Sequence, residues 1–290
     1  MKATVVTGLL ISLLYTNGGA ADNRVFHGNA RSLGMAGVRV MLADEWSGIG
    51  NQAGLAAITS PSFSIHYENY FLVPALGTGA FSICMPTRSG TFGFYFSNYG
   101  YASYRENQLC LSIGKAFGNS FRAGIGLHYL TVHQPSDMGN LSALVPALGI
   151  QALLLPDLTI GLQVFNPACQ HYVPAGYLNL PLTGQAGLGY QLGQEVLICF
   201  EVEKQALEKL QYRGGIEINL EQKLIARFGI YSGKYPGYSF GLAFHSRLLS
   251  IDLAAARHPV LGFSPAISLS FRPDPVRKKP MHLRDNAPVE

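Results

Sequence analysis

Charge is scarce in this chain. Only 13% of its residues are Asp, Glu, Lys or Arg, about half the ~25% of an ordinary soluble domain. Long apolar runs are scarce as well. Past the N-terminus none reaches about 18 residues, which excludes a bundle of membrane-spanning helices. The four cysteines form no Cys-x-x-Cys pair and no Cys/His spacing of a metal site. Cys84, Cys110 and Cys199 alternate with bulky apolar residues inside strand-like runs and read as free thiols, while Cys169 falls in a loop. No Gly-x-Ser-x-Gly or similar nucleophile motif accompanies a histidine, and "GNSFRAG" at 118–124 is hairpin chemistry, not a phosphate loop. The chain therefore reads as non-catalytic, with no cofactor or metal implied. A net charge of +4, partly carried by the C-terminal "RPDPVRKKP", gives no basis for nucleic-acid binding.

What the chain does have is apolar residues (48%), 33 Gly, 15 Tyr and 16 Phe, and a period-two pattern. In residues 213–233, Ile216, Ile218 and Leu220 alternate with Gly215, Glu217 and Asn219. Leu224, Ala226, Phe228 and Ile230 then alternate with Lys223, Ile225, Arg227 and Gly229. Such alternation marks strands with one apolar and one polar face. Strands are predicted at 62–71, 75–86, 90–98, 104–116, 119–133, 143–154, 157–165, 182–190, 194–203, 210–220, 222–231, 236–246, 248–257 and 264–272. Most have about ten residues, enough to cross a bilayer at a steep tilt. Connections after even-numbered strands are tight. Those after odd-numbered strands are mostly longer, above all 134–142 and 166–181, with "LVP" after the first strand as an exception. Short turns on one rim and longer loops on the other point to a membrane barrel.

Which way the apolar face looks follows from the charges. His66, Glu68, Arg122, His128, Glu201, Glu203, Arg213, Glu217, Arg227 and Asp252 share a face with small residues. Phe63, Ile65, Ile125, Leu127, Ile198, Phe200, Ile251 and Leu253 lie opposite. Unpaired buried charge costs several kcal/mol per ion, so a soluble barrel with these charges inside a dry core is disfavoured. Turned the other way, the apolar face meets lipid and the charges line a lumen, where a pairing ladder without any ligand accounts for most of them. Tyr70, Tyr99, Tyr190, Tyr212 and Tyr231, near strand ends, are expected in interfacial girdles. The fold class is thus all-β, a transmembrane antiparallel barrel of about 14 strands in the bacterial outer membrane. Residues 1–21 read as a signal peptide, 22–61 as a segment before the barrel, 62–272 as the barrel and 273–290 as a polar, Pro-rich periplasmic tail expected to be disordered.

Residues 22–61 do not alternate. Their "ARSLGMAGVRVMLADEWSGIGNQAGLA" resembles the N-terminal signature of the FadL-like long-chain fatty-acid transporter barrels and of their PorV/PorQ relatives, which serve type IX secretion. Ala30, Arg31, Gly34, Met35 and Gly37 match its first piece, with Ala36 for a Gly. Ala43 and Asp44 match the second, with Glu45 for Asp. Asn51, Ala53, Gly54, Leu55 and Ala56 match the third, with Gln52 for Pro. The resemblance covers about 30 residues, and the loop opening at Asn166-Pro167 is similar too. It implies a hatch inside the lumen, with Arg31, Asp44 and Glu45 available to pair with Glu201, Glu217 or Arg227 on the wall. It also implies a PorV/PorQ-type role as secretion accessory or surface-protein docking partner, working through loops 134–142 and 166–181. Secretion-system components, exported proteins and outer-membrane lipid are then the expected partners. The alternative is a FadL-like conduit for a hydrophobic ligand, which needs an apolar pocket at the external mouth; Tyr172, Val173, Tyr177, Leu178 and Leu180 are its candidates.

Overall fold

A computed structural model describes residues 28–135, 139–173, 180–206, 208–220, 223–233 and 235–273. The expected signal peptide and the tail beyond Pro273 lie outside them, as do Tyr177 and Leu178. Fourteen strands follow one another: β1 (Ser62–Asn69), β2 (Gly77–Thr87), β3 (Gly90–Tyr101), β4 (Tyr104–Phe117), β5 (Phe121–His133), β6 (Leu141–Leu155), β7 (Leu158–Phe165), β8 (Thr183–Leu192), β9 (Val196–Gln205), β10 (Gln211–Leu220), β11 (Leu224–Tyr231), β12 (Gly237–His245), β13 (Leu249–His258) and β14 (Gly262–Phe271). Each pairs antiparallel with its sequence neighbours, and β1 pairs with β14 from Phe63↔Phe271 to Glu68↔Ala266, closing the barrel. Closure leaves no unpaired edge, a condition for strands that cross lipid.

The alternation decides which face is which. Along β1, Phe63, Ile65 and Tyr67 are exposed, while Ser64, His66 and Glu68 are buried. Outward apolar side chains recur on the other strands, among them Leu111, Leu127, Leu148, Phe200, Phe228, Leu242 and Leu253. The inner face is polar or small, with Gln108, Gln151, Gln163, Gln185, Ser239 and Ser268. Of the five girdle tyrosines, Tyr190 and Tyr212 face outward. Tyr99 and Tyr231 fall instead on inward rows, Tyr99 paired with buried Thr78 and Tyr231 with Arg213, and Tyr70 packs on Tyr99. Proximity to a strand end does not fix parity, and parity decides the face.

The two rims differ as expected, with one correction. The turns 88–89, 118–120, 156–157, 193–195 and 246–248 are short. On the opposite rim the connection after β1 is not the exception, since Tyr70–Leu72 forms a turn within residues 70–76. The tight external connections are 102–103 and 259–261. The longest, 166–182, follows β7, which is short enough that β6 outruns it. β6–β7 pairing starts at Ala147↔Phe165, so Leu141–Val145 has β5 on one side and meets the loop on the other, through a single bridge between Ser142 and Val173.

Candidate functional site

Residues 28–58 pack against the inner wall. Asn29 starts a short helix, Ala30–Gly34, through a reciprocal capping box with Ser32, and the helix lies against β11 to β14. A turn follows at Ala36 (φ 60°) and Gly37 (φ 81°). The alanine that departs from the family signature thus occupies a left-handed conformation that glycine adopts more readily. Its amide donates to Ser239 Oγ at 2.8 Å. Further along, the Asn51 side chain accepts from Ala53 N and caps the turn Gln52–Ala57, which lies against β3 to β6. Gln52 replaces the proline without loss of the turn, and its Nε2 donates to Gly48 O at 3.0 Å.

Close approach to the wall depends on wall glycines. A Cβ at Gly149 would overlap Asn51, and one at Gly161 would overlap the Val40 carbonyl. The contacts there are polar. Asn51 Nδ2 donates to Val40 O (2.7 Å) and to the strand carbonyls of Ile150 (3.1 Å) and Leu162 (3.3 Å). Gln151 Nε2 donates to Val40 O and Leu42 O. Both partners of the closure seam are engaged as well. Trp46 Nε1 donates to Ser64 Oγ on β1 at 3.0 Å, Ala30 N to Ser268 Oγ on β14 at 3.0 Å, and Ser64 and Ser270 share a hydrogen bond.

The expected wall charges sort into two paired groups. In the first, Arg31 makes a bidentate pair with Glu217 (2.8 and 2.9 Å), Glu217 also accepts from Arg227, and Arg227 donates to Asp252 at 2.6 Å. Asp44 receives Arg31 Nη1 at 3.4 Å. In the second, buried Glu201 accepts the amides of Arg39 and Val40 at 2.8 Å and Arg213 at 3.0 Å, and Glu203 accepts from Arg39, Arg213 and Gln185. The sequence offered Arg31, Asp44 and Glu45 only as a group of partners for Glu201, Glu217 or Arg227, and it missed Arg39 as well as Arg272, which pairs with Glu45 from just past β14. His66 lies 3.8 Å from Glu68. His128 is buried between Gln108 and Cys110, and Arg122 makes no ion pair among the described residues. Cys84, Cys110 and Cys199 are free and buried, Cys169 free and exposed.

Burial and pairing compete at the ionised groups of the segment. Burial pushes the Asp44 carboxyl above its usual value, and Arg31 offsets this only in part. Burial acts the same way on Glu45, but Arg272 outweighs it and holds Glu45 below the usual range. The Arg39 guanidinium is lowered by burial; Arg31 is raised, because Glu217 and Asp44 outweigh desolvation.

One quadrant of the inner wall is different. Leu130, Val132, Leu141, Ala143, Val145, Ala147 and Phe165 form a buried apolar cluster on β5–β7, joined by Tyr172 and Leu180 from the long loop. Of the loop residues picked out in the sequence, Tyr172 and Leu180 turn inward, whereas Val173 and Pro167 are exposed. Asn166 (φ 57°) ties the two ends of the loop together, its Nδ2 donating to Leu180 O at 2.8 Å and to Gln170 O at 3.0 Å.

No known protein family and no curated protein matches the chain. Solved structures with the same barrel do exist. The Pseudomonas putida toluene transporter TodX superposes with a TM-score of 0.67 at 11% identity, over 86% of this chain and 99% of that one. The Ralstonia pickettii toluene transporter TbuX gives 0.64 at 10% identity, over 84% and 98%. A Pseudomonas aeruginosa FadL homologue gives 0.58 at 11% identity, over 85% and 98%. The chain therefore shares the fold of these solved structures, here a closed antiparallel barrel of fourteen strands.

The PorV/PorQ assignment, with its type IX secretion role, is overturned, because the structures that share the fold are hydrocarbon channels, toluene transporters and a FadL homologue. The physical reason is that the motif carrying the resemblance records how a segment packs on wall strands. Arg31, Gly34, Met35, Gly37, Asp44, Asn51 and Gly54 turn toward the wall or toward one another, and none of them forms a surface that a partner protein would read.

Proposed function

We propose that the protein is a FadL-type channel that lets hydrophobic small molecules cross the outer membrane, with residues 28–58 serving as a hatch seated in the lumen. The apolar cluster under loop 166–182 carries this reading. A pore for polar solutes would line its mouth with polar groups; here β5–β7 present Leu, Val, Ala and Phe to the inside. That TodX and TbuX are toluene transporters supports the same class of solute. An apolar solute would enter beside the part of β6 that outruns β7 and follow the cluster down to Phe165, whose ring meets His128 edge-on. Below it lies Asn51, held to strand carbonyls by hydrogen bonds that a shift of the turn would break. Arg31, Asp44, Glu45, Glu217 and Arg227 would keep the rest of the hatch fixed while that turn moves.

The test is uptake of radiolabelled toluene, and separately of oleate, by outer-membrane-competent cells with and without the protein. Expression is expected to raise uptake of at least one probe, and Val145→Glu, which puts a charge in the middle of the cluster, is expected to abolish the gain at unchanged protein level. Uptake that does not respond to expression, or that survives Val145→Glu intact, would sink the reading.

A further inference from the structure

The outer wall is apolar over most of its height, but the strand register sets four polar residues side by side at one level. Asn98, Asn107, Thr131 and Ser142 are successive partners on β3, β4, β5 and β6. They belong to the outward rows, since Ser97, Gln108, Leu130, Val132 and Ala143 beside them are buried. One pair toward the short-turn rim, the register reads Phe96, Leu109, Tyr129 and Leu144, all apolar or aromatic. One pair toward the external rim stand Gly100, Arg105 and His133. Hydrocarbon contact thus ends and polar contact begins within one residue pair, the level at which outer-leaflet headgroups lie.

The polar row is built, not scattered. Asn98 donates to Asn107 Oδ1 at 2.7 Å, Asn107 to Thr131 Oγ1 at 3.2 Å, and His133 Nδ1 shares a hydrogen bond with Asn140 Oδ1 at 2.6 Å. A recess of about 490 Å³ opens among Arg105, Asn107, Tyr129, Thr131, Asn140 and Ser142. Arg105 is exposed at its upper edge and makes no ion pair among the described residues. Farther along the same row the wall carries Gly79 and Tyr67, with no comparable set of donors.

We propose that this recess binds the phosphate-bearing headgroup of an outer-leaflet glycolipid. Arg105 supplies the positive charge and the planar donor fork suited to phosphate oxygens. The Thr131 and Ser142 hydroxyls and the Asn140 amide hydrogen-bond the headgroup, and the acyl chains run down over Leu109, Tyr129 and Leu144. The order of chemistry along the wall, cation above neutral donors above apolar side chains, fits an amphiphile with its phosphate outward and not a free anion. The site is separate from the lumen and from the transport reading.

The experiment is native mass spectrometry of the full-length protein in detergent micelles, incubated with lipid A, with enzymatically dephosphorylated lipid A, or with inorganic phosphate. The wild type is expected to retain lipid A. Arg105→Ala, and the dephosphorylated lipid on the wild type, are expected to lower retention about tenfold, in line with losing a charge-assisted hydrogen bond. Arg105→Lys should keep most of the binding, and heat-modifiable migration on gels verifies that each variant is folded. Equal retention by the wild type and Arg105→Ala, equal retention of the dephosphorylated lipid, or displacement of lipid A by equimolar inorganic phosphate would overturn the proposal.

Discussion

Asp44 and Glu45 are neighbours in sequence and opposites in electrostatics. Both are buried carboxyls, yet Asp44 has only a distant share of Arg31, whereas Glu45 faces Arg272 directly. The signs follow from linkage. Glu45, held low, contributes stability that is present at neutral pH and is lost as pH falls below the usual ~4 of a carboxylate and through its depressed value. Asp44, held high, works in reverse: the folded state favours its proton, so stability falls as pH rises from the ordinary value through the raised one. The protection of residues 28–58 against hydrogen–deuterium exchange, corrected for the intrinsic pH dependence of amide exchange, is therefore expected to fall in the wild type as acid titrates the Glu45 pair. The acid response should flatten in Glu45→Gln, and Asp44→Asn should slow exchange at neutral pH. An unaltered acid response in Glu45→Gln would show that the Arg272 pair is not its cause. In the sequence Glu45 was visible as a member of the motif, but Arg272 was not visible as its partner, because nothing local tells where the chain end beyond the last strand returns to.

At the scale of elements, the strands were legible because lipid on one side and a polar lumen on the other impose a strict period of two. All fourteen predicted strands are present, with ends displaced by a few residues at most. Loops were less legible. Phe71 and Leu72 read as strand end and connection, yet they take left-handed conformations in a tight turn, with φ of 58° at each. The glycines of the wall were also passed over, since glycine within a strand looks like a weakness of the strand. Their role is seen only against the segment they face. Gly161→Val makes the point testable. Valine favours a strand intrinsically, so a stability effect limited to β7 would be neutral or favourable. Overlap with the Val40 carbonyl predicts the opposite, a loss of about 2 kcal/mol as in other overpacked sites. Limited proteolysis should then cut within residues 28–58 in the variant and spare them in the wild type; equal cleavage would refute the close-approach role.

For the molecule as a whole, fourteen strands enclose more space than their own side chains fill, and residues 28–58 pack against their inner faces. The inner wall is partitioned: β9–β13 carry the Arg–carboxylate pairs and β5–β7 the apolar cluster. Sequence alternation revealed that the lumen holds charge, but not that the charge is gathered on one side, because azimuth around a barrel emerges only on closure. Function was less legible still, since the motif describes packing and is silent about solute or partner. Deleting residues 28–58 is expected to turn a barrel of low ion conductance into an open pore in planar bilayers. A deletion variant that folds and conducts no more than the wild type would mean that the lumen is closed by other means.

The closure seam has one more consequence. Trp46 is bound to Ser64 at the start of the barrel, Ala30 to Ser268 near its end, and Glu45 to Arg272 beyond it. These partners come together only when β14 has zipped onto β1, so a half-built sheet offers no berth for residues 30–46. The chronology of biogenesis is thereby written into the geometry. Residues 30–46, which emerge before the barrel strands, must wait for the last strand, and their docking separates a finished barrel from an assembly intermediate.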